Sequence, residues 1–480
     1  MLFNSIEFAI FLPIVFLLYW FVFNRNLKLQ NLFIVVVSYV FYGWWDWRFL
    51  FLIAFTSFCS WGSGLLIEKN RENPKKAKAV SVLNIVINLL ILGVFKYYDF
   101  FVTSFADLFL GGKTDGLLLK IILPVGISFY TFQALSYSID VYRGKLEPTR
   151  DIVQFFAFVS FFPQLVAGPI ERATNLLPQF GKPRRFDYDT AVDGLRQILW
   201  GLFKKMVVAD GCAIYVDQVF SAYTEHTGST LLLAAVLFTF QIYGDFSGYS
   251  DIAIGTAKLF GIKLMRNFNV PYFSRDIAEF WRRWHISLTT WFRDYVYIPL
   301  GGSRVSKAKV IRNTFVIFLL SGFWHGANWT FIIWGAYHAL LFLPLILTGK
   351  NRKYTNQVAE GRILPTLKEA GQMLLTFFLA VIGWIVFRAS NITEAWQYFC
   401  GLFGKSLFSV PWLITRHYYL PVFLSILVML VVEWLQRDKD HAFDLSGIKS
   451  HALKFGIYYA VVVVLFWLGG HAESFIYFQF

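Results

Sequence analysis

Long apolar runs recur along the whole chain, and they restrict the possible folds more than any other feature of the sequence. A membrane-spanning helix needs about 20 mostly apolar residues. The candidate segments are residues 7–23, 31–46, 50–67, 79–97, 117–137, 152–170, 195–211, 229–245, 311–346 (long enough for two passes or a broken one), 371–388, 418–435 and 453–469. Several are short or contain Gly and Pro, which is typical of re-entrant segments. The sequence therefore predicts an all-α polytopic membrane protein with about ten to thirteen membrane segments.

The composition also indicates lipid surroundings. Of 480 residues, 57% are hydrophobic, 20% are aromatic and only 15% are charged, whereas a soluble domain usually has about 25% charged residues. The formal net charge is +14, and basic residues lie in short loops between apolar runs, as in residues 68–78. This is the pattern of cytoplasmic loops. Because no basic–aromatic sheet signature accompanies it, the sequence predicts no nucleic-acid partner.

The basic loops also predict the orientation in the membrane. Loops 24–30 and 68–78 fall on one side if the spans alternate, so both are expected to be cytoplasmic and the N-terminus extracytoplasmic. Stretch 8–23 has no basic region before it and no small-residue cleavage site after it, which predicts a permanent span. We find no internal repeat or linker, and we expect a single membrane domain over residues 1–480.

Residues 262–312 are unusual because they are both basic and aromatic. An ordinary loop would lack the aromatic residues. The pattern predicts amphipathic helices that lie at the membrane surface or dip into the protein. A positive-inside anchor that binds lipid headgroups fits the composition equally well, and the sequence leaves both interpretations open.

His325 is the strongest candidate for chemistry among eight histidines. It falls in the middle of the apolar stretch 311–346, and an ionisable group at membrane depth indicates a functional site by default. Gly322 and Gly326 would let a backbone or a substrate approach closely. Asn328 is a candidate oxyanion donor. Two tryptophans are expected to wall a pocket, namely Trp324 and Trp329. The alternative is a histidine that hydrogen-bonds two helices.

His285 is the second candidate, because it follows the cations Arg282 and Arg283. Neighbouring positive charge disfavours the imidazolium, so we expect a neutral ring that can accept a proton. A histidine that holds a surface helix against the bundle is the alternative. His338 is expected to be structural, since it does not lie above His325 on one helix.

The remaining histidines are expected in loops or near span ends, where they are solvated or interfacial. They are His226, His417, His441, His451 and His471.

A polar cluster at residues 241–251 ends another apolar run and contains Asp245, Tyr249 and Asp251. We expect the two carboxylates to pair with arginines of region 262–312 rather than to act in catalysis. No acidic residue completes a ligand spacing with the two histidines, so the sequence predicts no metal. It also contains no Walker loop, dinucleotide fingerprint or nucleophile elbow.

Several long motifs in the chain resemble those of a known protein family. The blocks are Phe161–Pro169, Asp245–Asp251, Asn267–Tyr272, Phe280–Ser287, Trp291–Asp294, Ile298–Gly302 and Phe323–Trp329, together with the first five residues and the stretch 475–480. The chain resembles the membrane-bound O-acyltransferase superfamily, and within it the bacterial polysaccharide O-acetyltransferases of the alginate type. The resemblance covers nearly the whole chain.

The resemblance implies that His325 is the essential catalytic histidine and His285 the second recurrent one. It also implies a ring of membrane helices around a central tunnel, in a bacterial inner membrane. Side chains expected to support the site or bind substrate are Asn328, Trp324, Trp329, Trp284, Arg282, Arg283, Arg293, Asp294, Asp245, Tyr249, Asp251 and Asn267.

The expected reaction moves an acyl group, acetyl in the first instance, from a cytoplasmic thioester to a hydroxyl. The donor would be acetyl-CoA, bound by the arginines and aromatics of region 262–312; no permanently bound cofactor is expected. His325 would act as general base, or would itself carry the acyl group briefly. The resemblance implies an extracytoplasmic polysaccharide acceptor and a relay partner similar to SGNH hydrolases, besides membrane lipids.

Two other functions stay open at this point. A lipid O-acyltransferase of the same superfamily would need a lateral opening to the bilayer. A transporter or flippase without covalent chemistry would also combine many spans with a buried histidine, although transporters commonly contain internal repeats.

Overall fold

A computed structural model describes residues 1–114, 116–412, 419–469 and 475–476, and within these ranges it is helical with no β-strand. The α-helices are α1 (Ile6–Leu17), α2 (Leu27–Gly43), α3 (Leu50–Lys69), α4 (Pro74–Leu92), α5 (Tyr98–Phe109), α6 (Ile127–Tyr142), α7 (Ile152–Ser160), α8 (Phe162–Leu165), α9 (Ala173–Phe180), α10 (Tyr188–Leu202), α11 (Asp210–Ser221), α12 (Gly228–Leu259), α13 (Ile277–Arg283), α14 (Ile286–Phe292), α15 (Lys307–His325), α16 (Trp329–Leu347), α17 (Leu367–Arg388), α18 (Ile392–Leu402), α19 (Tyr419–Leu435) and α20 (His451–Leu468). Four π-helical segments prolong or join them: Leu18–Val22, Gly93–Tyr97, Phe203–Ala209 and Arg293–Tyr297. The predicted all-α class is confirmed.

Within the described residues, six helical segments are long and apolar enough to cross a membrane. They are Trp47–Lys69, Pro74–Phe109, Gly228–Leu259, Trp329–Leu347, Leu367–Arg388 and His451–Leu468. Three shorter apolar helices accompany them: Ile6–Val22, Leu27–Gly43 and Tyr419–Leu435. The protein is therefore an integral membrane protein, as predicted. The expected ring of helices and its tunnel stay predictions.

Fewer segments are long enough to span than the predicted ten to thirteen, because several apolar runs are interrupted. Run 117–137 begins as irregular backbone and becomes helical only at Ile127. Run 152–170 breaks at Phe161, which separates the short helices α7 and α8. Periodic apolarity identifies buried and lipid-facing segments alike, so it does not separate a span from a short helix packed in protein.

The contacts divide the chain into two compact units. The first consists of Met1–Leu195 and Ala253–Met265. Inside it, the N-terminal π-helical segment packs on the end of α12: the Tyr19 hydroxyl donates to the Phe260 carbonyl over 3.0 Å, and the Trp20 indole donates to the Leu259 carbonyl over 2.9 Å. Arg184 donates to the amide oxygens of Gln30 and Asn31.

The second unit consists of Arg196–Ile252 and Arg266–Phe480, and it contains every candidate site residue. Helices α15 and α16 pack closely together in this unit. A Cβ added to Gly322 would lie 2.2 Å from the Phe331 carbonyl oxygen, and one added to Gly335 would lie 2.3 Å from that of Phe318. Glycine is therefore required at both points for the two backbones to approach this closely.

Candidate active site

His285 lies in a break between two short helices. Helix α13 ends at Arg283, Trp284 is extended, and His285 has φ 43° and ψ 54° before α14 begins at Ile286. A left-handed backbone is unfavourable for a residue with a Cβ and costs on the order of 1–3 kcal/mol. The surroundings must therefore hold His285 in place. This break turns the His285 ring onto Phe246 of α12, with ring centroids 4.7 Å apart.

His325 lies at a second break, the end of α15. The apolar stretch 311–346 is two helices joined by Gly326, Ala327 and Asn328, so His325 is the last residue of one helix and not the middle of a span. Its ring meets Trp334 of α16 at 5.1 Å and Phe387 of α17 at 5.4 Å. Both contacts are edge-on, and they fix the plane of the imidazole from two sides.

The two breaks bring both histidines together. The ring centroids of His285 and His325 are 6.3 Å apart, and Trp324 lies beside both, at 5.8 Å and 5.1 Å. Both histidines are buried. We define the histidine cluster as His285, Trp324, His325, Trp334 and Phe387. With the two rings this close, one reacting group beside them could contact both imidazoles, which is the arrangement that acid–base chemistry needs.

The His285 ring is neutral, but for a different reason from the one expected. Burial lowers the pKa of His285 to about 3, because desolvation disfavours the charged imidazolium. Neighbouring cations, which the sequence suggested, are not the cause: the guanidinium of Arg283 forms ion pairs with Glu279, 2.8 Å away, and that of Arg282 donates to backbone carbonyls of residues 351 and 354.

His338 belongs to the packing around the cluster. Its ring lies 4.9 Å from that of Trp334, and its Nδ1 accepts a hydrogen bond from the Trp281 indole over 3.3 Å. His325 and His338 thus contact the same tryptophan although they belong to different helices. The interpretation of His338 as structural stays a prediction.

The glycines around His325 serve helix packing. A Cβ on Gly326 would lie 2.1 Å from the Phe331 ring, so Phe331 occupies the room that the sequence suggested for a substrate. Asn328 caps α16: its side-chain oxygen accepts from the Thr330 amide, and its nitrogen donates to the Ser390 carbonyl over 2.7 Å. Its expected part as oxyanion donor stays a prediction. Trp329 is 50% exposed, whereas both histidines are buried.

The polar cluster of α12 is held by lysines. Lys204 lies 2.6 Å from Asp251, and Lys205 lies 2.7 Å from Asp210 and 2.9 Å from Asp245. We call these five residues the lysine cluster. For Asp245 the expected arginine partner is therefore wrong, whereas Asp251, besides its ion pair with Lys204, interacts electrostatically with Arg266 of region 262–312. The two lysines fall in the predicted span 195–211, where buried charges require partners.

The lysine cluster extends to other buried polar groups. Glu433 lies 3.9 Å from Lys204 and accepts from the Tyr243 hydroxyl over 2.9 Å. The Gln197 amide donates to Asp251 over 2.8 Å. Tyr249 is buried against the Phe475 ring, with centroids 4.5 Å apart. These contacts fix the middle of α12, which carries Phe246 against His285.

Trp284 and Asn267 lie directly beside His285. The Trp284 ring packs on Trp384 of α17, with centroids 4.8 Å apart, and on Phe268 at 5.1 Å. The Asn267 carbonyl accepts from the Ile286 amide over 2.8 Å, and Asn269 donates to the Arg283 carbonyl over 2.9 Å. The segment 267–269 thus pairs with the backbone on both sides of His285.

A cavity of about 460 Å³ opens beside the cluster. Its polar part includes three arginines, Arg282, Arg293 and Arg352, and its apolar wall includes Trp281, Phe318 and Phe342. Arg293 also forms an ion pair with Asp294, 2.6 Å away.

This cavity comes close to both catalytic candidates. Ile286, which follows His285, lines it. Trp281 lines it too, and the Trp281 ring lies 5.5 Å from Trp334, which contacts His325.

Several residues of the site escaped the sequence reasoning. Trp334 and Phe387 contact His325 from later helices, Trp384 packs on Trp334, and Lys204 and Lys205 neutralise the α12 carboxylates. The adjacent lysines in an apolar run were the one available signal, because charge at membrane depth marks a partner elsewhere. The tryptophans gave no signal in a chain with 17 of them.

Among the described residues, no group of three or more His, Cys, Asp and Glu side chains is placed to hold a metal ion.

Comparison with known proteins gives consistent matches. A family model described as the membrane-bound O-acyltransferase family matches residues 148–378. The chain is 42% identical to a Pseudomonas aeruginosa protein named probable alginate O-acetylase AlgI, over 84% of this chain and 75% of that protein. It is 32% identical to the peptidoglycan O-acetyltransferase of Helicobacter pylori, over 100% of this chain and 98% of that protein. A teichoic acid D-alanyltransferase of Bacillus subtilis is 30% identical over 55% of this chain and 68% of its own length.

Proposed function

The chain belongs to the membrane-bound O-acyltransferase family and is an O-acyltransferase, and from this premise we propose that it moves an acetyl group from cytoplasmic acetyl-CoA to a hydroxyl of an extracytoplasmic polysaccharide. The observation that carries the proposal is the pair of buried imidazoles at two helix breaks, 6.3 Å apart. Two titratable rings in a water-excluded pocket suit acyl transfer, where a hydroxyl must lose a proton without competition from water.

In the proposed reaction His325 is the general base. Its imidazole takes the proton of the acceptor hydroxyl while the hydroxyl oxygen attacks the thioester carbonyl carbon. The new C–O bond forms, the C–S bond breaks, and the leaving thiolate takes the proton back from His325. The products are the acetyl ester and the free thiol. His285 is neutral, and it would orient the thioester or the leaving sulfur.

The cavity beside the cluster is the proposed donor site. Arginines suit phosphate groups, because a guanidinium donates two parallel hydrogen bonds. Aromatic walls suit an adenine or an acyl arm. Arg282 and Arg293 line the cavity, and so does Trp281. The Trp281 ring contacts Trp334, and Trp334 contacts the ring of His325.

The acceptor is proposed from the relatives. Proteins named for alginate, peptidoglycan and teichoic acid are similar to this chain, and all three names refer to polymers of the bacterial envelope. We propose a bacterial inner-membrane location with the N-terminus outside. Transfer to the polymer would be direct or would pass through an extracytoplasmic partner similar to SGNH hydrolases.

The donor is tested with purified protein, radiolabelled acetyl-CoA and a hydroxyl-rich polysaccharide, with and without the candidate partner. We expect label to leave CoA and free thiol to form in equal amounts. Arg293→Ala should raise the KM for acetyl-CoA by about tenfold, the loss of one charge-assisted hydrogen bond. Arg304→Ala is the matched control, because it removes the same charge from the same basic region but Arg304 does not line the cavity.

A wild-type protein that releases no thiol under these conditions would remove acetyl-CoA as donor. An equal KM change in the two arginine variants would remove the cavity as the donor site, since it would then report only the general positive charge of the region.

A further inference from the structure

The backbone of His285 needs an explanation that the reaction does not supply. A histidine in the left-handed region, φ 43°, precedes α14, and its side chain does not cap that helix. Helix N-termini leave backbone N–H groups without partners inside the helix, and a local Ser, Thr, Asp or Asn normally accepts from them. At α14, which begins at Ile286, the acceptors come from Asn267, 19 positions earlier in the chain.

Asn267 supplies three contacts to the start of α14. Its backbone carbonyl accepts from the Ile286 amide over 2.8 Å. Its side-chain oxygen accepts from the Ser287 hydroxyl over 2.8 Å and from the Ser287 amide over 3.4 Å. The two first helical residues after His285 are thus bound to one asparagine, so the peptide planes on the C-terminal side of His285 have a fixed direction.

The same asparagine is anchored to α12. Its side-chain nitrogen donates to the Ser250 hydroxyl over 3.1 Å, and Asn267 is completely buried. Ser250 lies four residues after Phe246, so the two share one face of α12. Phe246 makes the edge-on ring contact with His285 at 4.7 Å. One face of α12 therefore supports the imidazole directly and supports its backbone through Asn267.

We infer that Asn267 is a positioning residue: it holds the left-handed backbone of His285 and so keeps the imidazole beside that of His325. This inference rests on the proposed function, because it assigns Asn267 to the turnover of the acyl donor. It goes beyond that function by predicting that replacing Asn267 lowers kcat only when residue 285 is a histidine.

The test is a double-mutant cycle on the full-length protein, measured as thiol release from acetyl-CoA. Asn267→Ala should lower kcat by about 10- to 100-fold, since a small misplacement of a reacting group has effects of this size, and should leave the donor KM within about twofold. His285→Gly is the second arm, because glycine adopts φ 43° without strain and removes the imidazole. In the His285→Gly background, Asn267→Ala should lower the remaining kcat by less than about twofold.

Asn313→Ala is the matched control. Asn313 is also a buried asparagine, and it also binds backbone carbonyls, those of Leu300 and Gly302, but it contacts neither histidine. We expect a comparable fall in thermal stability with kcat within about twofold of wild type. If Asn267→Ala does not fold, Ser250→Ala replaces it in the same double-mutant cycle. This variant removes only the hydrogen bond between Asn267 and Ser250, and we expect kcat to fall by about three- to tenfold.

Equal losses of kcat in the two backgrounds would overturn the inference and leave the proposed function standing, since Asn267 would then act without His285. A full kcat in Asn267→Ala would overturn it as well. A wild type that turns over no thioester would overturn the proposed function and this inference together.

Discussion

The histidine cluster and the lysine cluster lie in the same unit and are both buried, but they stabilise polar groups in opposite ways. Each lysine lies within 2.9 Å of a carboxylate, so the charges are bound to one another. Aromatic rings 4.7–6.4 Å away surround the two histidines, and His285 is kept neutral by burial. Charges bound in ion pairs are held in fixed positions, whereas the nitrogens of a neutral imidazole among aromatic rings can still accept and donate a proton. This difference separates the scaffold from the candidate catalyst.

The largest expected effect is a loss of stability when a lysine of the lysine cluster is replaced. Lys205→Met leaves the buried carboxylates of Asp210 and Asp245 without their cation and should destabilise the protein by about 3–5 kcal/mol. Lys258→Met is the control, because the Lys258–Asp193 pair is equally short, 2.6 Å, but more exposed, and its loss should cost at most about 1 kcal/mol. Thermal unfolding in detergent measures both. Similar shifts for the two variants would contradict the account of the lysine cluster.

The geometry of the histidine cluster depends on the close packing of α15 and α16. Gly322→Ala places a Cβ 2.2 Å from the Phe331 carbonyl oxygen, so the helices must separate at a cost of about 1–3 kcal/mol. We also expect a lower kcat, because His325 lies three residues further along α15. In Gly371→Ala the new Cβ meets nothing within 4 Å, and this variant should be slightly more stable than wild type. Unaltered activity in Gly322→Ala would show that His325 does not need this packing.

A variant of His338 tests whether kcat depends on every buried histidine or only on those of the histidine cluster. His338→Phe keeps the ring contact with Trp334 but removes the acceptor of the Trp281 indole, which should cost about 1–3 kcal/mol of stability. Because His338 faces tryptophans and not the space between His285 and His325, kcat should stay within about threefold of wild type. A loss of kcat as large as that of a His325 variant would place His338 in the chemistry.

A pH dependence of stability tests the burial of His285. In the folded protein the pKa of His285 is about 3, whereas in the unfolded chain it is near 6.5. The unfolded state therefore binds a proton that the folded state does not, and stability falls as pH drops from about 6.5 toward 3. His285→Asn cannot titrate and tolerates the left-handed backbone, so its unfolding temperature should fall less steeply between pH 7 and 4. Parallel slopes would mean that His285 is not neutral by burial.

Composition and periodicity predicted the membrane class and two passes or a break within 311–346, and they singled out His325 as a candidate, because these depend on local apolarity and on one costly polar residue. Composition and periodicity do not predict which side chains from distant segments pair with one another. The lysines that bind Asp245 and Asp251 come from a run that looked like an ordinary span. Trp329 lies next to the histidines in sequence, yet it is half-exposed at the first residue of α16.

The cause of a property was harder to predict than the property itself. Cations beside His285 suggested a neutral ring, and the ring is neutral, but burial is responsible and the arginines bind other partners. The left-handed backbone of His285 and its support from Asn267 depend on contacts between helices that no local pattern reveals.

The most direct measurement is the rate of thiol release from acetyl-CoA by purified wild type and by His325→Ala, with His338→Phe beside them as a histidine variant of similar burial. The account predicts release by the wild type and by His338→Phe, and a loss of at least about 100-fold in His325→Ala, the size expected when a general base is removed. A folded His325→Ala protein that releases thiol as fast as the wild type would contradict the assignment of acyl transfer to His325.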